Sequence, residues 1–291
     1  MNGFSNITTE QYHADPCSTP SLSASTAKTL IEKSPYHAWL EHPRLGGKKR
    51  ESTRDMDRGT IIHGLILNQP LKLSILPHDN YRTKAAQEER DRATENGFIP
   101  VLAREYQEYR RSADAVLANL KAIGIEFDGE TEAKLIWQEF DRKGEAVQCR
   151  SMFDHISLSD MCVIDDLKTT TDASPKACIR SILNYGYDLQ AAAYTRAIEQ
   201  SWPEWSGRIK FRFIFIEAET NEVCPIILDG AFDAVGRSKW RRAVNRWSEC
   251  LKANHWPGYA EKPLIVTPPM YAIREEMDAE GSDKNLINFV E

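Results

Sequence analysis

The chain has 291 residues, of which 41% are hydrophobic and 27% charged, the balance of a globular protein; its longest apolar runs, such as residues 61–67 around His63, are far too short to span a bilayer. A net charge of −6 excludes a protein that coats nucleic acid by bulk positive charge, so any such contact has to be local. The six cysteines (17, 149, 162, 178, 224 and 250) show no CxxC or CxH spacing. That speaks against a zinc site and predicts reduced, mostly packed thiols of a cytoplasmic chain. Nothing clusters after Cys250, as an iron–sulfur centre would require.

Residues 1–14 lack a basic stretch followed by an apolar core, so no secretory signal is expected. Residues 23–33 carry a helical pattern, with Ala24, Ala27, Leu30 and Ile31 on one side and Ser23 or Ser25 available as cap. Pro35 ends that helix, and a short helical turn is expected over 36–40. Residues 46–58 are polar and basic (Lys48, Lys49, Arg50, Arg54, Arg58) and read as a mobile loop. Residues 59–68 read as a buried helix carrying His63, and 71–76 as a short strand. Residues 83–96 are charged and helical up to Gly97. A long helix over 102–123 has Tyr106, Tyr109, Ala113, Val116, Leu117 and Leu120 as its apolar stripe.

The period then changes. Residues 131–140, 146–157 and 161–168 read as three consecutive strands, 175–183 and 189–199 as helices, 209–217 and 222–228 as a second hairpin. Residues 231–253 form a long amphipathic helix with Trp240, Val244, Trp247 and Leu251 as a core stripe and Arg237, Lys239, Arg241, Arg242 and Arg246 on its other side. After Trp256 the chain turns irregular and proline-rich, and 277–291 is an acidic tail. There is no internal repeat. The order predicts one α/β domain behind a helical section rather than two separable domains.

The chemistry concentrates in Asp154 and in Asp166-Leu167-Lys168. Strand side chains alternate, so Asp166 and Lys168 share a face, and a short turn folds the Asp154 strand back alongside. Two carboxylates and an ammonium then meet at one point. A hard divalent cation wants oxygen ligands, and phosphodiester hydrolysis wants an activated water and relief of charge at phosphorus. Asp154 and Asp166 are the expected metal ligands, with the backbone carbonyl of Leu167 as a third oxygen. Lys168 would orient the attacking water or stabilise the phosphorane charge. Asp165 should point to the opposite face. A DxK triplet alone is common by chance and by itself reads far more readily as a same-face ion pair. Three other features accompany it. Gln190 and Tyr194 stand at i and i+4 on one helix face, His63 stands in an apolar helix, and Glu132 opens the strand before that of Asp154.

Together, the stretches GTIIHGLIL (59–67), 150–154, VIDDLKTT (163–170) and YDLQAAAY (187–194) resemble the PD-(D/E)xK nucleases, specifically the exodeoxyribonuclease VIII (RecE-type) branch of phages and prophages. LSASTAKTLIEKSP (22–35) and residues 81–102 also fit, so the resemblance spans most of 20–270. It implies an α/β fold with the PD-(D/E)xK (restriction-endonuclease-like) core, a central mixed sheet flanked by helices and preceded by a helical section. An arm over 1–20 would lead into a nuclease domain over 21–270, helical to 123 and the catalytic sheet core beyond, with the acidic tail over 271–291. The implied activity is a Mg²⁺-dependent 5′→3′ double-strand DNA exonuclease that leaves 3′ single-stranded tails for recombination, Mn²⁺ being able to substitute and one or two ions sitting in each site. By position, Asp154, Asp166, Lys168, His63 and Gln190 would be catalytic, with His63 beside the metal, Glu132 a weaker ligand match, and Tyr194 contacting the DNA end.

For phosphate contacts, Arg54 and Arg58 at the mouth of the site and Arg82 and Lys84 beyond it are the candidate cations. The resemblance also implies a homo-oligomeric ring, which would hold an acidic monomer on DNA by encirclement. The tail is free to dock a partner such as a single-strand annealing recombinase. A sequence- or structure-specific endonuclease on the same fold, and a catalytically silent binding module, are the competing readings.

Overall fold

The computed structural model describes residues 3–48, 54–260 and 262–287, the side chains of 54–55 and 281–287 excepted. The chain divides into two units, residues 1–256 and 257–291.

In the first unit, α1 (Thr9–His13) opens on a capping box: Thr8 accepts from the Gln11 N–H while the Gln11 side chain takes the Thr8 N–H. α2 (Ala24–Glu32) is capped by Ser23, and α3 (Pro35–Glu41) by Ser34 with proline at its first position. α4 (Arg54–Ile66) starts earlier than the expected helix, so Arg54–Arg58 belong to a helix and not to the basic loop; Lys49 and Arg50 lie outside the described residues. β1 (Leu73–Leu76), α5 (Lys84–Glu95) and β2 (Ile99–Leu102) follow, and β1 pairs β2 in parallel as a separate small sheet. β2 was not expected, because the apolar Ile99–Leu102 run joins the start of α6 (Ala103–Ala122) without a turn residue between them.

The main sheet is β3 (Glu130–Phe140), β4 (Ala146–Leu158), β5 (Cys162–Thr170), β6 (Ile209–Glu217) and β7 (Val223–Ile227), in that order. Neighbours are antiparallel except β5 and β6, which run parallel. A parallel pair needs a crossover, and α7 (Pro175–Asn184) and α8 (Tyr187–Ser201) supply it. α9 (Gly230–Ala253) packs on α8 so closely that a Cβ on Gly236 would stand 2.2 Å from the Asp188 carbonyl oxygen. The sheet is thus a mixed one between two helical layers. One face carries Ile164, Phe213, Phe215, Ala192, Ala193, Trp240 and Trp247 in a core shared with α2, α8 and α9. The other carries Leu167, Ile214 and Ile216 with Ile62 and Ile66 of α4 and Val116 and Leu120 of α6. All six cysteines are free thiols, five of them buried.

The unit from Pro257 carries α10 (Met270–Ile287), where an irregular stretch and an acidic tail were expected; residues 288–291 lie outside the described residues. No helix among the described residues is long and apolar enough to cross a membrane.

Candidate active site

β4 and β5 form a ladder from Leu158↔Cys162 to His155↔Asp165 and then part. On the other side of β4, the β3 ladder is interrupted at the same step: Thr131↔His155 and Ala133↔Phe153 are paired, but Glu132 and Asp154 are not. Glu132 takes a left-handed φ of 48°, uncommon for a residue with a Cβ. Phe153 and Ile156, three residues apart, belong to the same core, so the two-residue alternation slips by one at Asp154. This irregularity turns Asp154 out of the ladder and towards β5.

There the Asp154 Oδ2 accepts the Leu167 N–H at 2.8 Å, taking the backbone donor that the parting strands leave unpaired. In an extended chain the N–H and C=O of one residue leave the strand on the same side, so the Leu167 carbonyl faces the gap that Asp154 occupies.

Asp166 is 2% exposed. Its Oδ1 pairs with the Lys168 ammonium, and its Oδ2 accepts from Gln190 Nε2 at 2.5 Å. Burial raises the Asp166 carboxyl to about 6; the ammonium opposes the shift and the Asp154 charge adds to it. Asp154 is also raised, by burial first, with Lys168 and the Leu167 N–H acting against it and Glu132 reinforcing it. Burial disfavours the charged form of Lys168, but Asp166 and Asp154 outweigh it and raise its pKa, so the ammonium persists at neutral pH. His63 is lowered to about 4 by burial and by Lys168, against the pull of Asp166. It is therefore neutral at pH 7, in the state of a ligand or acceptor, and its Nε2 lies 3.3 Å from Thr169 Oγ1.

The doubled acid is resolved by the strand's alternation. Asp165 is fully buried on the opposite face, where His155 Nδ1 at 2.9 Å and Arg212 Nε at 2.5 Å hold its two oxygens. The Gly129 N–H donates to His155 Nε2, which leaves Nδ1 to carry the proton donated to Asp165. Asp165 is thus spent on structure.

Other expected residues take different places. Glu132 stands beside Asp154 closely enough to act on its charge, but its carboxylate accepts from Thr9 Oγ1 at 3.0 Å and lies 3.7 Å from Lys134 Nζ. Tyr194, expected at the DNA end, is 8% exposed. Its ring packs edge-on against Phe153 at 5.0 Å, which makes it a support of the Gln190 helix and leaves little of it for DNA. Arg58 donates to the Ala218 carbonyl at 2.8 Å, so its guanidinium is committed to the fold. The Arg54 side chain lies outside the described residues. Arg82 and Lys84 are exposed at the start of α5, beside the small sheet, and Lys84 pairs with Glu88; neither touches the acidic group. On α9, Arg237 is taken up by Glu199 and Asp233 and Lys239 by Asp188, while Arg241, Arg242 and Arg246 remain exposed.

One site residue was not singled out from the sequence. The Tyr187 ring centroid is 4.6 Å from Lys168 Nζ, a cation–π contact backed by Phe213, whose ring lies 5.5 Å from that of Tyr187. The signal was present: Tyr187 stands three residues before Gln190, on the same helix face.

The chain matches the model of the PDDEXK-like domain of unknown function (DUF3799) over residues 23–266. It belongs to that family. The domain is accordingly of the PD-(D/E)xK nuclease class, in which divalent metal ions are generally used. Among solved structures, one named "Putative exonuclease" from Eubacterium rectale superposes with a TM-score of 0.60 at 12% identity, covering 91% of this chain and 96% of that one, a likeness of fold. A second, named SSO0001, covers 81% of this chain and 80% of its own at 10% identity, with a TM-score of 0.36, too low to carry argument. No curated protein matches.

The residues fit a hard divalent cation. Two carboxylates whose pKa values are raised stand together, a carbonyl faces the same gap, and a neutral imidazole stands near. Among the described residues, no group of three or more His, Cys, Asp or Glu side chains is set to hold a metal by itself. Mg²⁺ keeps several waters and takes only one or two carboxylates, which agrees with this donor set.

Proposed function

We propose that the chain is a Mg²⁺-dependent exodeoxyribonuclease that degrades double-stranded DNA from its ends, 5′→3′, and leaves 3′ single-stranded tails for strand annealing. The observation that carries this reading is the convergence of Asp154, Asp166 and Lys168 where β4 and β5 part, with Gln190 gripping Asp166 from α8. The RecE-type resemblance supplies the polarity and the recombination role, and the name of the Eubacterium rectale structure agrees with an exonuclease.

In this reading Asp154, Asp166 and the Leu167 carbonyl hold the cation, Mn²⁺ serving in place of Mg²⁺, with His63 at its margin. When bound, a divalent cation supplies charge neutralisation at the scissile phosphate and lowers the pKa of water. Lys168 does the chain's own electrostatic work. Its ammonium, fixed by Asp166 and the Tyr187 ring, faces the negative charge that grows on the phosphoryl oxygens. Gln190 fixes the Asp166 carboxylate, so that its free lone pairs keep one direction.

A homo-oligomeric ring, an annealing recombinase as partner and the cytoplasm of a bacterial host complete the proposal. The deciding experiment digests linear duplex labelled in turn at its 5′ and 3′ ends, with and without Mg²⁺, beside a closed circular plasmid. Early release of the 5′ label with an intact circle supports the reading. A nicked circle replaces it with an endonuclease, and absence of cation-dependent cleavage leaves a silent binding module.

A further inference from the structure

A cleft of about 1140 Å³ lies along α2 and reaches Tyr187 and Gln190, the neighbours of Lys168 and Asp166. Tyr187 and Gln190 line it, as do Tyr185, Lys28, Lys33 and Lys48. Its charge is nearly balanced, because Glu32 lies 3.8 Å from Lys28 and Glu41 3.4 Å from Lys33. Phosphate attraction alone is therefore a weak grip there.

The cleft offers aromatic rings instead. Tyr185 is 54% exposed. Its ring centroid is 5.7 Å from that of Tyr187 and 5.3 Å from Lys28 Nζ. Gly186, between the two tyrosines, takes a left-handed φ of 62°, and a Cβ there would stand 2.6 Å from Glu32 Oε1, so the turn that presents both rings depends on glycine. Tyr187 in turn covers Lys168. A line of aromatic surface thus leads from solvent to the catalytic ammonium.

Base faces are open to such a surface only where a strand is unpaired. We infer that the cleft takes an unpaired segment of the DNA strand being cut and that Tyr185 is its base-stacking platform, deepening the nuclease reading on which it rests. Stacking is tolerant of sequence, since every base has a π-face, so the platform would grip without selecting bases.

The test measures binding of a fluorescent 12-mer oligothymidylate and of a blunt 12-base-pair duplex, in EDTA so that neither is cut, with Lys168→Ala as the parent. Adding Tyr185→Ala is expected to weaken the single strand about 5- to 100-fold and the duplex less than about twofold, while Tyr185→Phe, which keeps the ring, binds as the parent does. Unfolding midpoints verify that the variants fold. No loss with Tyr185→Ala, an equal loss with Tyr185→Phe, an equal loss on the duplex, or no binding of the oligothymidylate by the parent overturns the platform. Cleavage by the unmutated chain is scored separately. DNA cut normally while Tyr185→Ala binds normally removes the platform alone, and absence of cleavage removes the nuclease reading.

Discussion

The Asp154 carboxylate replaces a missing rung of the sheet: its Oδ2 accepts the Leu167 N–H at 2.8 Å, one step beyond the last β4–β5 pair, His155↔Asp165. A backbone donor on β5 thereby fixes a side chain on β4, and the two strands can part without leaving that donor unpaired.

Asp154→Asn follows from this bond. The amide oxygen still accepts from Leu167, so the strands keep their places, while the charge that would hold a cation is gone. Cleavage of end-labelled duplex is expected to fall at least about 100-fold, with DNA binding by gel shift retained. Cleavage at the parental rate would remove Asp154 from the site.

Lys168→Ala removes the ammonium from between Asp166 and Tyr187. Loss of a donor aimed at developing charge lowers rates about 10²–10³-fold, and that loss is expected in single-turnover cleavage. The circular-dichroism spectrum should not change. Without its counter-charge the Asp166 carboxyl, already raised to about 6, rises further, so the residual rate should climb only at higher pH.

Asp166 also gives a sign for stability against pH in metal-free protein. Its folded pKa, about 6, lies above the ordinary value of 3.8, so the native state holds the proton more tightly than the unfolded chain. That contribution is fully present below about pH 4 and lost as pH rises through 6. Asp166→Asn has no such loss. Urea midpoints in EDTA should therefore favour Asp166→Asn over the parent increasingly from pH 4 to 7, by up to roughly 3 kcal/mol. His63, lowered to about 4 against the pull of Asp166, has the opposite slope between 4 and 6.5; in Asp166→Asn that pull is gone and His63 is lowered further, which costs the variant more at the acid end and adds to the same trend. A gap that stays constant across this range would contradict the shift.

The framework of this site is legible in the sequence. The strands of Asp154, Asp166 and Lys168 announce themselves by β-branched and aromatic runs between turns, and their limits shift by no more than two residues in β3, β4 and β5. What the sequence hides is long-range. Whether Tyr194 faces DNA or Phe153 depends on α8 lying against the sheet, and whether Arg58 meets phosphate or the Ala218 carbonyl depends on α4 reaching a loop 160 residues away. Local pattern carries no trace of either. The slip at Asp154 rests on the left-handed φ of Glu132, a residue that gives no such signal.

Gln190→Leu separates positioning from chemistry. The variant removes the 2.5 Å bond to Asp166 Oδ2 and leaves every charge in place. Loss of a group that orients a ligand typically lowers activity or cation affinity about 10- to 100-fold. Because the lost donor favours the charged carboxylate, the acid limb of the pH–rate profile should move to higher pH, and Gln190→Glu should not restore it. An unshifted limb with a uniformly lower rate would mean that Gln190 acts on packing alone.

Finally, the adjacent acids should part in their effects. Asp165 is fully buried between His155 and Arg212, and breaking a buried ion pair by removing one partner destabilises by about 3–5 kcal/mol. Asp165→Asn is expected to lose stability on that scale, read from the urea midpoint, with the rate per folded molecule kept within about threefold. Asp166→Asn should do the reverse: it relieves a buried carboxylate whose pKa is raised, and it removes an oxygen the cation needs. Double-strand cleavage and urea unfolding of the two variants, run side by side, read the face of β5 on which each acid lies. If Asp165→Asn proved inactive and fully stable, the alternation that assigns the two acids to opposite faces would be wrong.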